Sequence, residues 1–248
     1  MIKFFRKIRQ QMLAENKFTK YLIYAVGEIV LVVIGILIAL QVNNLNDQRK
    51  SKKVVQVYYE QLLQDFDVNR AFIEKTTAYH DSSNVKTEEY RAIFEKANLP
   101  TVFILGEIGK LDWLIRQIRF ESTTITTLQN TGDIRLINAE IREKLLQLKT
   151  LQERAVKSSN ENYAQSMELA AYARRFYGSE EFVGRLSNQS QLLEYFMNEE
   201  RMIQMLTALE GASVSKKSAE NYNLESFKAI TADMDELTGL IKEELEKQ

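Results

Sequence analysis

The longest apolar run in the chain is YLIYAVGEIVLVVIGILIALQV, residues 21–42, and its one carboxylate is Glu28. At about 1.5 Å per residue such a helix reaches roughly 33 Å, against a hydrocarbon core of about 30 Å. The pattern predicts a transmembrane helix with little slack. Residues 29–40 alone would be too short, so Tyr21 to Val26 must enter as well, which carries Glu28 roughly 10 Å below one interface. No A-x-A-like cleavage site lies in LIALQVNN, so the segment reads as an uncleaved signal anchor.

Past NNLND, residues 43–47, the pattern becomes that of packed helices. Val55, Tyr59, Leu62, Phe66 and Ile73 recur at three and four residues, with Asn69 in one core-like slot. This predicts a helix that pauses at HDSSN, residues 80–84, continues to Leu99 and is closed off by Pro100, the chain's one proline. Residues 103–130 predict a second helix, broken near ESTT, and Gly132 a left-handed terminator. Asn138 is placed to cap a third, with Ile141, Leu145 and Leu148 opening its stripe and Tyr163, Met167 and Phe176 carrying it to Gly178. A fourth begins near Ser190 with Leu192, Phe196, Ile203 and Leu206 on one side, and closes with Phe227, Ile230, Met234, Leu237, Ile241 and Leu245. Gly211 and ENYN, residues 220–223, are expected to interrupt it. No strand-like alternation competes, so the fold class is all-α: an N-terminal interfacial helix, one transmembrane helix and an antiparallel bundle of about four long helices. The domains are then residues 1–20, 21–42 and 43–248.

Charge orients this arrangement. Residues 1–20 hold six Lys/Arg and one Glu, whereas residues 43–248 hold 27 Lys/Arg and 32 Asp/Glu. The basic flank Lys3, Arg6, Lys7, Arg9, Lys17 and Lys20 outnumbers Arg49, Lys50, Lys52 and Lys53, which places the N-terminus in the cytoplasm and the large part outside it. Within residues 1–16, Phe4, Phe5, Ile8 and Met12 share one helical face and Lys3, Arg6 and Lys7 the other. That is the pattern of a helix lying on anionic lipid. An unstructured basic tail that only sets topology is the plainer alternative, and nucleic-acid binding is not needed to explain it. Absence of cysteine excludes disulfides and thiolate chemistry.

Two stretches carry a family resemblance. ENKFTKYLIYAVGEIVLVVIGILIALQVNNLNDQRK, residues 15–50, resembles the N-terminal signature of a family of uncharacterised bacterial single-pass membrane proteins with a domain of unknown function. STTITTLQNTGDIRLINAEIREKLLQL, residues 122–148, is similar to that family's second shared segment. Leu45 stands where the family pattern has tryptophan, which removes an interfacial anchor without altering topology. The resemblance implies a Gram-negative inner membrane with a periplasmic C-terminal domain, and implies no activity.

Candidate chemistry is sparse. One histidine, no cysteine and no H-E-x-x-H or G-x-S-x-G motif give little support to metal binding or nucleophilic catalysis, and no cofactor is expected. His80 beside Asp81 reads as a solvated polar break. GEIGK, residues 106–110, lacks the remainder of a phosphate loop; STTITT reads as a packed helix junction, and EELEK as a solvated face. Glu28 stands apart, because an ionised group in hydrocarbon costs on the order of 3 kcal/mol. Val32, Gly35 and Ala39 follow it on the same helical face, and small residues let another helix approach closely. A Glu that hydrogen-bonds across a helix interface, a proton-handling carboxylate and a side chain snorkelling to the interface are the three readings. The expected function is that of a membrane-anchored interaction, scaffold or sensory protein, not an enzyme, whose partners are the bilayer and a second copy or another membrane protein. The alternative is a stator-like subunit of a proton-driven complex using Glu28.

Overall fold

The computed structural model describes residues 18–178 and 180–247, with side chains from Leu22 onward apart from those at 24 and 180. The interfacial helix expected from Lys3, Phe4, Phe5, Arg6, Lys7, Ile8 and Met12 lies outside the described residues. Every regular element described is helical, and no strand occurs among them. The helices are α1 (Phe18–Ala92), α2 (Thr101–Gly109), α3 (Thr123–Thr131), α4 (Ala139–Tyr177), α5 (Glu180–Gly184), α6 (Ser190–Phe196) and α7 (Glu199–Glu246). The chain divides into two compact units, Met1–Val57 and Tyr58–Gln248, and α1 contributes residues to both.

In the first unit α1 is long and apolar enough to cross a membrane. All its large apolar side chains described between residues 22 and 42 are exposed, around the whole circumference. NNLND does not leave the helix. Asn43 Nδ2 donates to Asp47 Oδ2 at 3.1 Å, one helical turn on, so the Asn43 amide finds its partner within the helix.

In the second unit three long helices replace the expected four. The buried positions of α1 run 59, 62, 66, 69, 73, 76, 80, 83, 87 and 90, an unbroken alternation of three and four residues. That spacing is the seam of a coiled-coil-like packing. The partners show the directions: Arg70 bonds Asp235 at 2.9 Å, Ser83 bonds Glu220 at 3.1 Å and Tyr90 bonds Glu210, so α7 runs antiparallel to α1. Lys144 pairs with Glu236 at 2.8 Å and Ser166 donates to the Ala212 carbonyl at 2.8 Å, so α7 also runs antiparallel to α4. The apolar end of this core holds Tyr59, Leu62 and Phe66 of α1, Leu145 and Leu148 of α4, and Ile230, Met234 and Leu237 of α7.

Neither HDSSN nor ENYN interrupts its helix, because both segments occupy buried seam positions and find polar partners there. Gly211 likewise sits within α7. A Cβ there would come within 3.3 Å of Leu169 Cδ1, so its role is close approach to α4 and not a break. The stripe expected at the start of the fourth element is not a core face: Leu192 and Ile203 are exposed, as is Met167 on α4.

Several local signals act as the sequence indicates. Gly132 closes α3 at φ 77°, where a side chain would be strained, and Asn138 caps α4 by accepting from Glu140 N at 2.9 Å. Gly178 ends α4 at φ 76°. The expected helix over 103–130 stops at Gly109, and residues 110–122 are irregular. Side chains of α1 satisfy that backbone: Tyr79 donates to the Leu114 carbonyl at 2.8 Å, and Asn69 holds Glu121 by both amide atoms, at 2.8 Å to its carbonyl and 2.6 Å from its N–H. Asn69→Leu should therefore lower the unfolding free energy by about 1–3 kcal/mol, the cost of leaving buried backbone groups unpaired. Urea titration reads this as a lower midpoint with unchanged slope; an unchanged midpoint would show that the clamp carries no stability.

Candidate functional site

Midway along the second unit the seam turns polar on all three long helices. His80 and Ser83 enter from α1, Tyr163 from α4, and Lys216, Glu220 and Asn223 from α7, and each is at least nine-tenths buried. Their spacing explains the convergence. His80 and Ser83 are three residues apart on α1, while Lys216, Glu220 and Asn223 lie four and three apart on α7, so each set projects from one face toward the other.

Glu220 is the centre. Lys216 Nζ donates to its Oε1 and Ser83 Oγ donates to its Oε2 at 3.1 Å, while Lys216 Nζ also donates to Ser83 Oγ at 3.1 Å. His80 Nδ1 stands 3.5 Å from Glu220 Oε1, and His80 Nε2 lies 3.4 Å from Asn223 Nδ2, whose amide also reaches the Tyr163 hydroxyl at 3.5 Å. Nε2 thus faces the Asn223 amide, while Nδ1, buried beside the carboxylate, completes no hydrogen bond among the described residues. The His80 ring stacks on Phe227, with centroids 6.4 Å apart and planes at 13°.

The electrostatics follow from burial and pairing. Burial alone would raise the Glu220 carboxyl, but the His80 imidazole and the Lys216 ammonium beside it outweigh burial and hold the group below the ordinary carboxylate range. The Tyr163 phenol is pushed up, by burial first and by the Glu220 charge second. Tyr79, beside the cluster, is raised by burial and by Asp112; Lys216 Nζ lies 5.8 Å from its ring centroid and the Arg116 guanidinium 4.1 Å above it. Asp112 itself is lowered: burial works against this, and the Leu114 N–H, Tyr79 and Lys216 prevail.

Serine, lysine, histidine and glutamate in one cluster invite comparison with a hydrolase, but the bonding runs the other way. A nucleophilic serine needs a base able to take its proton. Here Ser83 gives its hydrogen to a carboxylate of lowered basicity and receives one from Lys216, whose charge Glu220 balances. The cavity against Ser83, Lys216 and Glu220 holds about 10 Å³, space for one water. Lys216 and Glu220 pair within α7, and what ties α7 to α1 is their bonds to Ser83: sliding α7 by one residue along α1 would break these and leave buried polar groups unpaired. Further along the same core, both amide atoms of Gln152 and the Ser159 hydroxyl are buried without a hydrogen-bond partner among the described residues, as is Asn223 Oδ1.

The residues singled out by sequence fall elsewhere. Glu28, Val32, Gly35 and Ala39 lie on one stripe of α1 in the first unit; Val32, Gly35 and Ala39 are exposed, Glu28 is half-buried, and the space a Cβ would take at Gly35 is open. His80 is the correction of greatest consequence, being fully buried and not a solvated break. Carrying the three-and-four spacing from Tyr59 past the last apolar residue would have reached it. Among the described residues no group of three or more His, Asp and Glu is placed to hold a metal ion. No family model, curated protein or solved structure matches the chain.

Proposed function

We propose that the protein is a membrane-anchored interaction protein, held by residues 21–42 and carrying its larger helical unit outside the cytoplasm as a scaffold or sensory domain. One observation carries the reading: α1 is apolar on every side between residues 22 and 42, and none of that surface is buried. A helix apolar all round belongs in a core or in a bilayer, and this one lines no core in its unit. The excess of Lys/Arg before the span favours a cytoplasmic N-terminus, and the resemblance of residues 15–50 favours a bacterial inner membrane. Assembly with a second copy or another membrane protein would use Glu28, Val32, Gly35 and Ala39, where small residues permit close helix approach. The polar knot around Glu220 suits a scaffold, because it holds one register and one shape.

The native chain has no cysteine, so single cysteines in place of Glu15 and of Ser187, which is exposed, can be labelled with an impermeant maleimide. Labelling at 187 but not at 15 in spheroplasts is the expected result, and the reverse would overturn the orientation. Crosslinking in native membranes then tests the face. Glu28→Gln should retain assembly, since an amide still donates and accepts, whereas Glu28→Leu and Gly35→Leu should weaken it. If Glu28→Gln assembles normally yet abolishes a cellular phenotype that Glu28→Asp keeps, the stator-like reading replaces this one. Unchanged crosslinking in all three variants would remove the face as an interface.

A further inference from the structure

The second unit contains a cavity of about 440 Å³ between the C-terminal part of α4, the irregular segment after α2 and the first turns of α7. That volume lies within the range of small-molecule sites, roughly 300–1,000 Å³. Its walls are Trp113, Leu114, Met167, Met205 and Leu209, and alanines of α4 leave the space between them open. Leu114 and Met167 are themselves exposed, although large apolar side chains ordinarily gain by burial. Arg174 adds an exposed guanidinium to the lining, no carboxylate lines the cavity, and Arg174 has no ion pair among the described residues. The C-terminus of α4 lies in the same wall with a partial charge of about −0.5, which the full positive charge of Arg174 exceeds. An apolar trough with one unpaired cation fits an apolar ligand with one negative end.

We propose that this cavity binds a single-chain anionic amphiphile of the fatty-acid class, its alkyl chain along Met167, Met205 and Leu209 and its carboxylate on Arg174. Methionine walls suit such a ligand, because the unbranched thioether side chain adapts to a flexible chain. The site lies within one unit, so the inference does not depend on the membrane reading.

Trp113 is the chain's one tryptophan, so its emission reports from the wall of the cavity. The experiment titrates the full chain in nanodiscs with a dodecanoate brominated along its chain, kept below its micellar concentration, with empty nanodiscs correcting for probe taken up by lipid. Saturable quenching of Trp113 is expected. Arg174→Gln, an exposed substitution, and the methyl ester of the probe should each raise half-saturation about tenfold or more, the worth of one charge-assisted hydrogen bond. Ala170→Leu should abolish saturable quenching while leaving the circular-dichroism melt intact. Quenching equal for acid, ester and Arg174→Gln would overturn the anionic ligand, and quenching that is absent or never saturates would overturn the site.

Discussion

Glu220→Gln should destabilise the folded chain by about 3–5 kcal/mol, because it takes from the buried Lys216 ammonium the carboxylate it bonds and leaves only the more distant charge of Asp112. The substitution keeps the shape of the side chain, so the loss reads charge and not a cavity. Since a domain's whole stability is about 5–15 kcal/mol, the variant should unfold at far lower urea. Lys216→Met in the same background should recover most of the loss, because a buried ion pair is close to break-even against a neutral pair of similar volume. The acid limb gives an independent reading. The folded carboxyl is lowered below its unfolded value of about 4.3, so its contribution is present above that value and is lost as pH falls through the lower folded value. Wild type should therefore lose stability from about pH 5 downward, and Glu220→Gln should show a shallower decline. A cost under about 1 kcal/mol, or identical acid limbs, would mean that Glu220 and Lys216 are not an ionised pair in the core.

That pair also marks where the sequence stops being readable by apolarity. Tyr59, Leu62 and Phe66 on α1, Ile141, Leu145 and Leu148 on α4, and Phe227, Ile230, Met234, Leu237 and Ile241 on α7 declare themselves by spacing and by chemistry, and all are buried. After Ile73 the spacing persists while the chemistry changes to Thr76, His80, Ser83 and Thr87, so a stripe defined by hydrophobicity ends there although the helix does not. HDSSN and ENYN each look like a solvated break because each is polar. Their partners are each other, some 140 residues apart, and no local window contains both. The segment 110–122 fails to be helical for a related reason. Its Leu114 and Glu121 backbone groups are satisfied by Tyr79 and Asn69 of α1, a tertiary supply that local propensity does not register. Caps and terminators at Asn138, Gly132 and Gly178 were legible because their chemistry is local. The long apolar helix was legible from length alone.

Above about pH 10 the folded chain should resist tyrosine ionisation and then lose helix and protons together. Tyr79, Tyr90 and Tyr163 all have phenols held well above the ordinary value, in each case chiefly by burial, with Asp112, Glu210 and Glu220 as the respective charged neighbours. The folded values are raised, so below the unfolded value of about 10 both states keep these protons and the stability is fully present. As pH rises past 10 the unfolded chain releases three protons that the folded chain keeps. Stability then falls by about 1.4 kcal/mol per pH unit for each phenol, roughly 4 kcal/mol per unit for the three, until the folded values are reached. Against a total of about 5–15 kcal/mol, roughly one to four pH units suffice to unfold the protein. The measurement is tyrosinate absorbance and helical circular dichroism on one sample. Part of the absorbance should appear only with the cooperative loss of helix, and Tyr163→Phe should reduce the slope of stability against pH by about a third. A smooth titration of all the tyrosines with helix intact would show that the three phenols reach solvent in the folded state, and the sealed polar core around Glu220 would fall with them.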